Sequence, residues 1–253
     1  MIDNNKYLIV IPFLASEAQG RELEYAIAGW RMHFKAPYHI AIVGDDPQIS
    51  GNDITWIDCP RVKPIEGQYT CHLDFVNKFQ AARSTFPETR GFIFACDDYY
   101  AINDFTIKDV MVLKCCNGEI QARHDSPNPW RRDKARTKDL LLKLGYPVLN
   151  RTTHLPQWYD WDWLAALWIR FGMADTSYVM EDLYYNIYFC GCPSVDVYDV
   201  PSNMENIYLR GVYRPDPNVG KIKEAFNDKI WINNSKEGWC PALEEVLKEH
   251  YGI

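Results

Sequence analysis

Long apolar runs are missing from this chain. No stretch approaches the ~18 consecutive apolar residues that a membrane-spanning helix needs. The start, Met1-Ile-Asp-Asn-Asn-Lys, has neither the charged opening nor the apolar core of a secretory signal peptide. The eight cysteines, Cys59, Cys71, Cys96, Cys115, Cys116, Cys190, Cys192 and Cys240, never form C-x-x-C and give no zinc framework. No G-x-G-x-x-G and no P-loop follows any early strand, so neither a dinucleotide fold nor a P-loop kinase is signalled. Positive charge is also in deficit. A formal net charge of −7 excludes a surface that binds polyanions everywhere, while leaving room for a local basic face. The expectation is a reduced, cytoplasmic protein without membrane attachment, its thiols acting as small hydrophobes. No repeat, low-complexity tract or linker divides residues 1–253, which reads as a single domain.

What is present is an alternation of strand and helix patterns. Tyr7–Phe13 and Tyr38–Val43 are short apolar runs of strand formers, and Ile54–Asp58 is a third. Ala18–Phe34 carries Leu23, Ala26, Ile27, Trp30 and Phe34 at helical spacing, with Arg21, Glu22, Glu24 and Arg31 on the other face. Cys71–Arg83 reads as a second helix. The order implies an α/β fold with a mostly parallel central sheet and helices on both faces. Ligands of such sheets bind beyond the carboxyl ends of the strands.

The central stretch is Gly91–Tyr100, G-F-I-F-A-C-D-D-Y-Y. A buried apolar strand runs straight into Asp97 and Asp98. Two like charges at the edge of a dry core call for a cation or a proton. Hard oxygen ligands in that place suit Mg²⁺ or Mn²⁺ and, with it, a phosphate. The plainer reading is that the acids solvate a strand–helix turn. Asp45 and Asp46, after the second strand, gather at the same edge.

Further along, Val110–Cys115 reads as a strand. Residues 123–143 then hold seven Lys and Arg against three Asp, an excess of four in an acidic chain. Arg131, Arg132 and Arg136 lie there beside Trp130, behind the rigid Ser126-Pro-Asn-Pro turn. A solvated helix is the plainer account of that charge run. His154 precedes an aromatic cluster with Trp158 and Trp161, some of which is expected to face a cleft. Asp162–Phe171 is a helix capped by Asp160 or Asp162. Glu181 and Asp182 open the helix Leu183–Phe189, either for the helix dipole or as carboxylates aimed into the cleft of Asp97 and Asp98. Asp196–Pro201 reads as a strand, Pro201–Asn218 as a mobile lid with Arg210 and Arg214, and Leu243–Tyr251 as a final helix.

Over roughly Tyr7–Phe189 this layout resembles the GT-A class of nucleotide-sugar glycosyltransferases. The resemblance is carried by I-F-A-C-D-D at Ile93–Asp98, in the place of the metal motif, and by M-E-D-L at Met180–Leu183. The sequence departs from that class in two ways. Cys96 stands where the first acid of Asp-x-Asp belongs, and the only histidine after Glu181 is His250. Glu22–Ile27 and Phe92–Tyr100 are also similar to capsule-polymer hexose-phosphate transferases. In size and in its basic, aromatic middle the chain resembles phage TET-associated glycosyltransferases of 5-hydroxymethylpyrimidine DNA.

The resemblance implies a GT-A-like, Rossmann-like sheet, with residues 1–105 binding the nucleotide sugar and 106–253 the acceptor. It implies Mn²⁺ or Mg²⁺ on Asp98 and Asp97. Asp182 is the implied base, with Glu181 second. It places the donor, a UDP-sugar such as UDP-glucose, on Pro12, Asp45, Asp46, Arg210 and Arg214. The acceptor falls to Trp130, Arg131, Arg132, Arg136, His154, Trp158 and Trp161, and is expected to be the hydroxymethyl group of 5-hydroxymethylcytosine or 5-hydroxymethyluracil in DNA. A bacterial or phage-infected cytoplasm is the implied setting. Two other functions compete: hexose-1-phosphate transfer to a glycan, marked by release of a nucleoside monophosphate, and non-catalytic binding of sugar or nucleic acid.

Overall fold

The computed structural model describes residues 6–215 and 218–253. Met1–Asn5, on which most of the leader reading rests, and Pro217 of the expected lid lie outside the described residues. The first half of the chain runs β1 (Tyr7–Phe13), α1 (Glu22–His33), β2 (Tyr38–Gly44), β3 (Ile54–Asp58), α2 (Thr70–Thr85), β4 (Gly91–Phe94), β5 (Tyr99–Ala101) and α3 (Ile107–Met111). It continues through β6 (Lys114–Cys115), α4 (Pro129–Leu144), β7 (Gln157–Asp160), α5 (Trp161–Phe171) and α6 (Met180–Tyr188). It closes with β8 (Val195–Asp196), β9 (Leu209–Val212), α7 (Val219–Glu224), β10 (Trp231–Asn234) and α8 (Pro241–Tyr251).

The main sheet has the order β3-β2-β1-β4-β7, parallel except for β7, which runs antiparallel to β4. Alternation along β1 divides the core. Leu8 and Val10 pack with Val76, Phe79, Phe92 and Phe94 on the α2 side, while Ile9 and Ile11 pack with Ile27, Trp30, Ile40 and Ile93 on the α1 side. Burial on both faces explains why β1 and β4 read as continuous apolar runs. Gly91 opens β4 because β7 comes so close. A Cβ there would stand 2.2 Å from the Tyr159 carbonyl oxygen.

A second sheet, β5-β10-β9, lies beyond the carboxyl end of β4. Its middle strand, W-I-N-N, is fully buried. Asn234 is satisfied there by accepting from the Tyr100 hydroxyl at 2.7 Å and donating to Glu22 at 2.7 Å. The chain therefore turns sharply after Asp98 and immediately re-enters a sheet.

The structure corrects four expectations. Val110–Cys115 is not one strand: Thr106 and Asp109 form a capping box that winds Ile107–Met111 into α3, leaving only Lys114–Cys115 to pair with β8. Asp196–Pro201 shrinks to the end of β8. The expected lid is pinned at its centre, since Leu209–Val212 pairs with β10 and the Asp199 carboxylate accepts the Gly211 N–H at 3.0 Å. Trp158 and Tyr159 belong to β7, a strand of the main sheet. The basic segment, by contrast, does become a helix, capped by the Asn128 side chain and started by Pro129.

His250, on α8, packs against α1, with its Nε2 2.9 Å from that of His33. Burial, and then the charge of His33, push its pKa down to about 4. The unfolded value is ~6.5. Between these two values the unfolded chain takes up a proton that the folded chain refuses, so acid favours unfolding. Melting temperature should fall as pH drops through that window, and His250→Asn should flatten the curve. Partial exposure keeps the effect well below the ~1.4 kcal/mol per pH unit of a fully buried group. An unaltered slope in the variant would count against this.

Candidate active site

At the carboxyl ends of β1 and β4 lies a cavity of about 360 Å³. Pro12 and Phe13 end one strand there, and Cys96, Asp97 and Asp98 follow the other. The starts of α1, α2, α4 and α6 contribute Glu22, His72, Trp130 and Glu181 to its wall. Helix starts converge on this edge because each crossover in a parallel sheet must leave from the strand's carboxyl end.

The walls are acidic. Glu17, Glu22, Asp74, Asp97, Asp98 and Glu181 face Arg61, Lys78 and Lys236. Two of those three cations are already engaged. Lys78 is buried against Asp74 at 2.8 Å and the Phe13 carbonyl at 3.0 Å, and Arg61 pairs with Glu17. Asp97 and Asp98 have no ion-pair partner among the described residues. Burial, then the charge of Glu22, raises the Asp97 carboxyl, and burial, then Asp97, raises Asp98 well above the ordinary range. Glu22 is itself raised by burial, although Asn234 and the Gln19 N–H both donate to it.

Among the described residues, no three His, Cys, Asp or Glu side chains are grouped to hold a metal. Asp97 and Asp98 could supply two ligands, with phosphate and water completing the shell. That is an ordinary way for Mg²⁺ to be held, and two unpaired carboxylates fit it.

Trp130, Thr152, His154 and Glu181 also line the cavity. His154 is exposed and adopts a left-handed backbone, φ 52°. Glu181 is 8% exposed, and its Oε2 has no hydrogen-bond partner. Burial raises its pKa. Asp182, the sequence's first choice as base, is 0% exposed and does not line the cavity. Its Oδ2 accepts from Lys134 Nζ at 2.8 Å and its Oδ1 from the Arg151 N–H at 2.7 Å. Lys134 in turn sits 5.3 Å from the centre of the Trp130 ring. Asp182 thus braces the wall from behind.

Other expected site residues lie elsewhere. Asp45 ties the loop after β2 to the loop after β1 by accepting from the Ala15 N–H at 2.9 Å, and Asp46 closes its own turn by accepting from the Gln48 N–H at 2.9 Å; neither lines the cavity. Arg210 and Arg214 line a separate hollow. Arg132 donates to the Ser126 carbonyl at 2.7 Å, and Arg136 to Asp133 at 2.8 Å and the Ser177 carbonyl at 2.6 Å. Arg131 is exposed, in a shallow hollow that shares Trp130 with the cavity. Trp158 lines a different, aromatic hollow. Trp161, 2% exposed, is a core residue stacked 4.1 Å from Phe92, its indole N–H on Thr89 at 3.0 Å.

Sequence reasoning missed Glu22, read as part of the solvated face of its helix, and His72. His72 Nδ1 lies 3.0 Å from Asp133, a residue 61 positions away, and no local motif announces that pair.

No protein-family model and no curated protein matches this chain. Among solved structures, a glycosyltransferase involved in the glycosylation of the major capsid of PBCV-1 aligns at 12% identity and TM-score 0.43, over 98% of this chain and 100% of that one. The apo-form glycosyltransferase GlyE of Streptococcus pneumoniae TIGR4 aligns at 14% identity and TM-score 0.26, over 55% of this chain and 39% of that one.

Proposed function

We propose that this protein transfers a sugar from a nucleotide-sugar donor to a hydroxyl acceptor, with a divalent metal ion. The observation that carries this is the unpaired Asp97–Asp98 pair facing an acid-walled cavity at the carboxyl end of the central strand. A diphosphate can enter such a cavity only with a cation. Mn²⁺ or Mg²⁺ on Asp98 and Asp97 would neutralise the charge that grows on the departing diphosphate. The chain's own residues do the rest. Pro12 and Phe13 bound the donor side, while Trp130 and Glu181 bound the acceptor side. Glu181, rather than Asp182, is the helix-start acid that meets the acceptor hydroxyl.

For the donor we propose a UDP-hexose. For the acceptor we propose the hydroxymethyl group of a 5-hydroxymethylpyrimidine in DNA, supported by Trp130 at the rim with exposed Arg131 beside it. Arg132 and Arg136, held by internal acceptors, and Trp161, in the core, add nothing to that reading.

The test is a donor-hydrolysis screen of nucleotide sugars with Mn²⁺, with and without hydroxymethylated DNA. Chelator-sensitive release of a nucleoside diphosphate is the expected result. Release of a monophosphate would instead mark sugar-phosphate transfer, and no metal-dependent turnover would mark a binding protein. With DNA as acceptor, apparent affinity should fall steeply with salt, and Arg131→Ala should make the log–log slope shallower by about one phosphate's worth. DNA left unmodified beside robust transfer to a saccharide would refute the acceptor.

A further inference from the structure

Asp133, fully buried on α4, gathers donors from two other places in the chain and from Arg136 on its own helix. Its Oδ2 accepts the Tyr69 N–H at 3.2 Å, the His72 ring at 3.0 Å and the Ser177 hydroxyl, while its Oδ1 accepts from Arg136 at 2.8 Å. A carboxylate, ion-paired here with Arg136, can only accept. The proton of a neutral His72 therefore sits on Nδ1, and Nε2 carries the lone pair. The ring lines the cavity, and Nε2 has no protein partner among the described residues. A histidine fixed through one nitrogen by a buried carboxylate, with the other nitrogen open to a cavity, is arranged to take a proton from a ligand.

Its place in the cavity is also defined. Burial lifts Glu181, and the strongest charge drawing it back is that of His72. His72 and Glu181 both line the cavity, at the starts of α2 and α6. The rival bases are poorly suited. Asp182 is locked to Lys134 and the Arg151 amide, and Glu181 Oε2 has no hydrogen-bond partner to orient it.

We propose that His72 Nε2 is the proton acceptor of the transfer, oriented by Asp133. This assignment rests on the glycosyl-transfer reading above. The acceptor O–H proton passes to Nε2 as that oxygen bonds to the anomeric carbon. The bond from that carbon to the diphosphate oxygen breaks, and its electron pair leaves with the diphosphate. Asp133 stabilises the resulting imidazolium, which then releases its proton to water. Attack opposite the leaving group inverts the anomeric centre, and Glu181 positions the acceptor hydroxyl.

The experiment is the pH dependence of kcat, with UDP-glucose and hydroxymethylated DNA or with whichever donor and acceptor the screen identifies. His72→Gln should lower kcat by about 10²–10⁴-fold with little change in KM, and should lose the ascending limb of the profile. Glu181→Gln should keep that limb. Imidazole should partly restore His72→Ala. Nitrogen NMR of the unmodified protein, which needs no variant to fold, should show His72 with its proton on Nδ1. An ascending limb that survives in His72→Gln and vanishes in Glu181→Gln would overturn the assignment and leave glycosyl transfer standing. So would retention of anomeric configuration, or a proton on Nε2. An unmodified protein that turns over no nucleotide sugar would overturn both.

Discussion

Asp182→Ala should destabilise the protein by about 3–5 kcal/mol, the range for removing one partner from a buried ion pair. Asp182 and Lys134 are both essentially solvent-free, and the substitution would leave an ammonium without its carboxylate and the Arg151 amide without an acceptor. Asn150 and Thr152, which also accept from Lys134 at 2.5 and 2.7 Å, soften the loss without neutralising the charge. Denaturant unfolding would measure it. The neighbouring Glu181→Gln should behave oppositely. Its Oε2 is a buried orphan, so stability should hold or rise while turnover falls. If Asp182→Ala unfolds like the parent protein but loses turnover, Asp182 acts in the chemistry and the brace described here is wrong.

That contrast shows where the sequence stops being readable. Glu181 and Asp182 are adjacent, and about 100° of helix rotation separates their side chains. Which one faces the cavity depends on how α6 is rolled against α4, a roll held by the Lys134–Asp182 pair and by the Val179 N–H bond to the Thr137 hydroxyl. The sheet was legible because β1 and β4 are buried on both faces and so carry unbroken apolar runs. The acid pair was legible because two carboxylates directly after such a run are chemically conspicuous. β10 was not legible. W-I-N-N is half polar, and the Tyr100–Asn234–Glu22 hydrogen bonds, with the Asn233 amide donating to the His154 carbonyl, help make its burial tolerable. The same network turned Glu22 inward from a helix face read as solvated. Trp161 was read toward a cleft because, beside Asp160, it falls outside clear helical periodicity, yet its indole has a partner in Thr89 and a stacking surface on Phe92. His72 and Asp133 come from different helices, and their pairing has no local spacing to reveal it.

Asp98→Asn should abolish divalent-dependent turnover while leaving the fold intact. The carboxylate stands at the end of the central strand beside Asp97, with no ion-pair partner among the described residues, so no internal bridge is lost with it. Removing one of two crowded acids relieves repulsion, so the melting temperature without metal should hold or rise. Binding to the native state alone stabilises by mass action, so Mn²⁺ should raise the melting temperature of the unmodified protein. At 100-fold over its dissociation constant the gain is ~2.7 kcal/mol. In Asp98→Asn that gain should disappear, because Asp97 alone leaves one carboxylate where no third protein ligand is grouped to compensate. The thermal shift needs no donor, acceptor or turnover, and so tests the metal site independently of the reaction. A variant that keeps its Mn²⁺ shift places the ion elsewhere. An unmodified protein with no shift, and with activity indifferent to chelator, would mean that the acid pair serves another purpose, and that whatever occupies this acidic cavity must itself bring a positive charge.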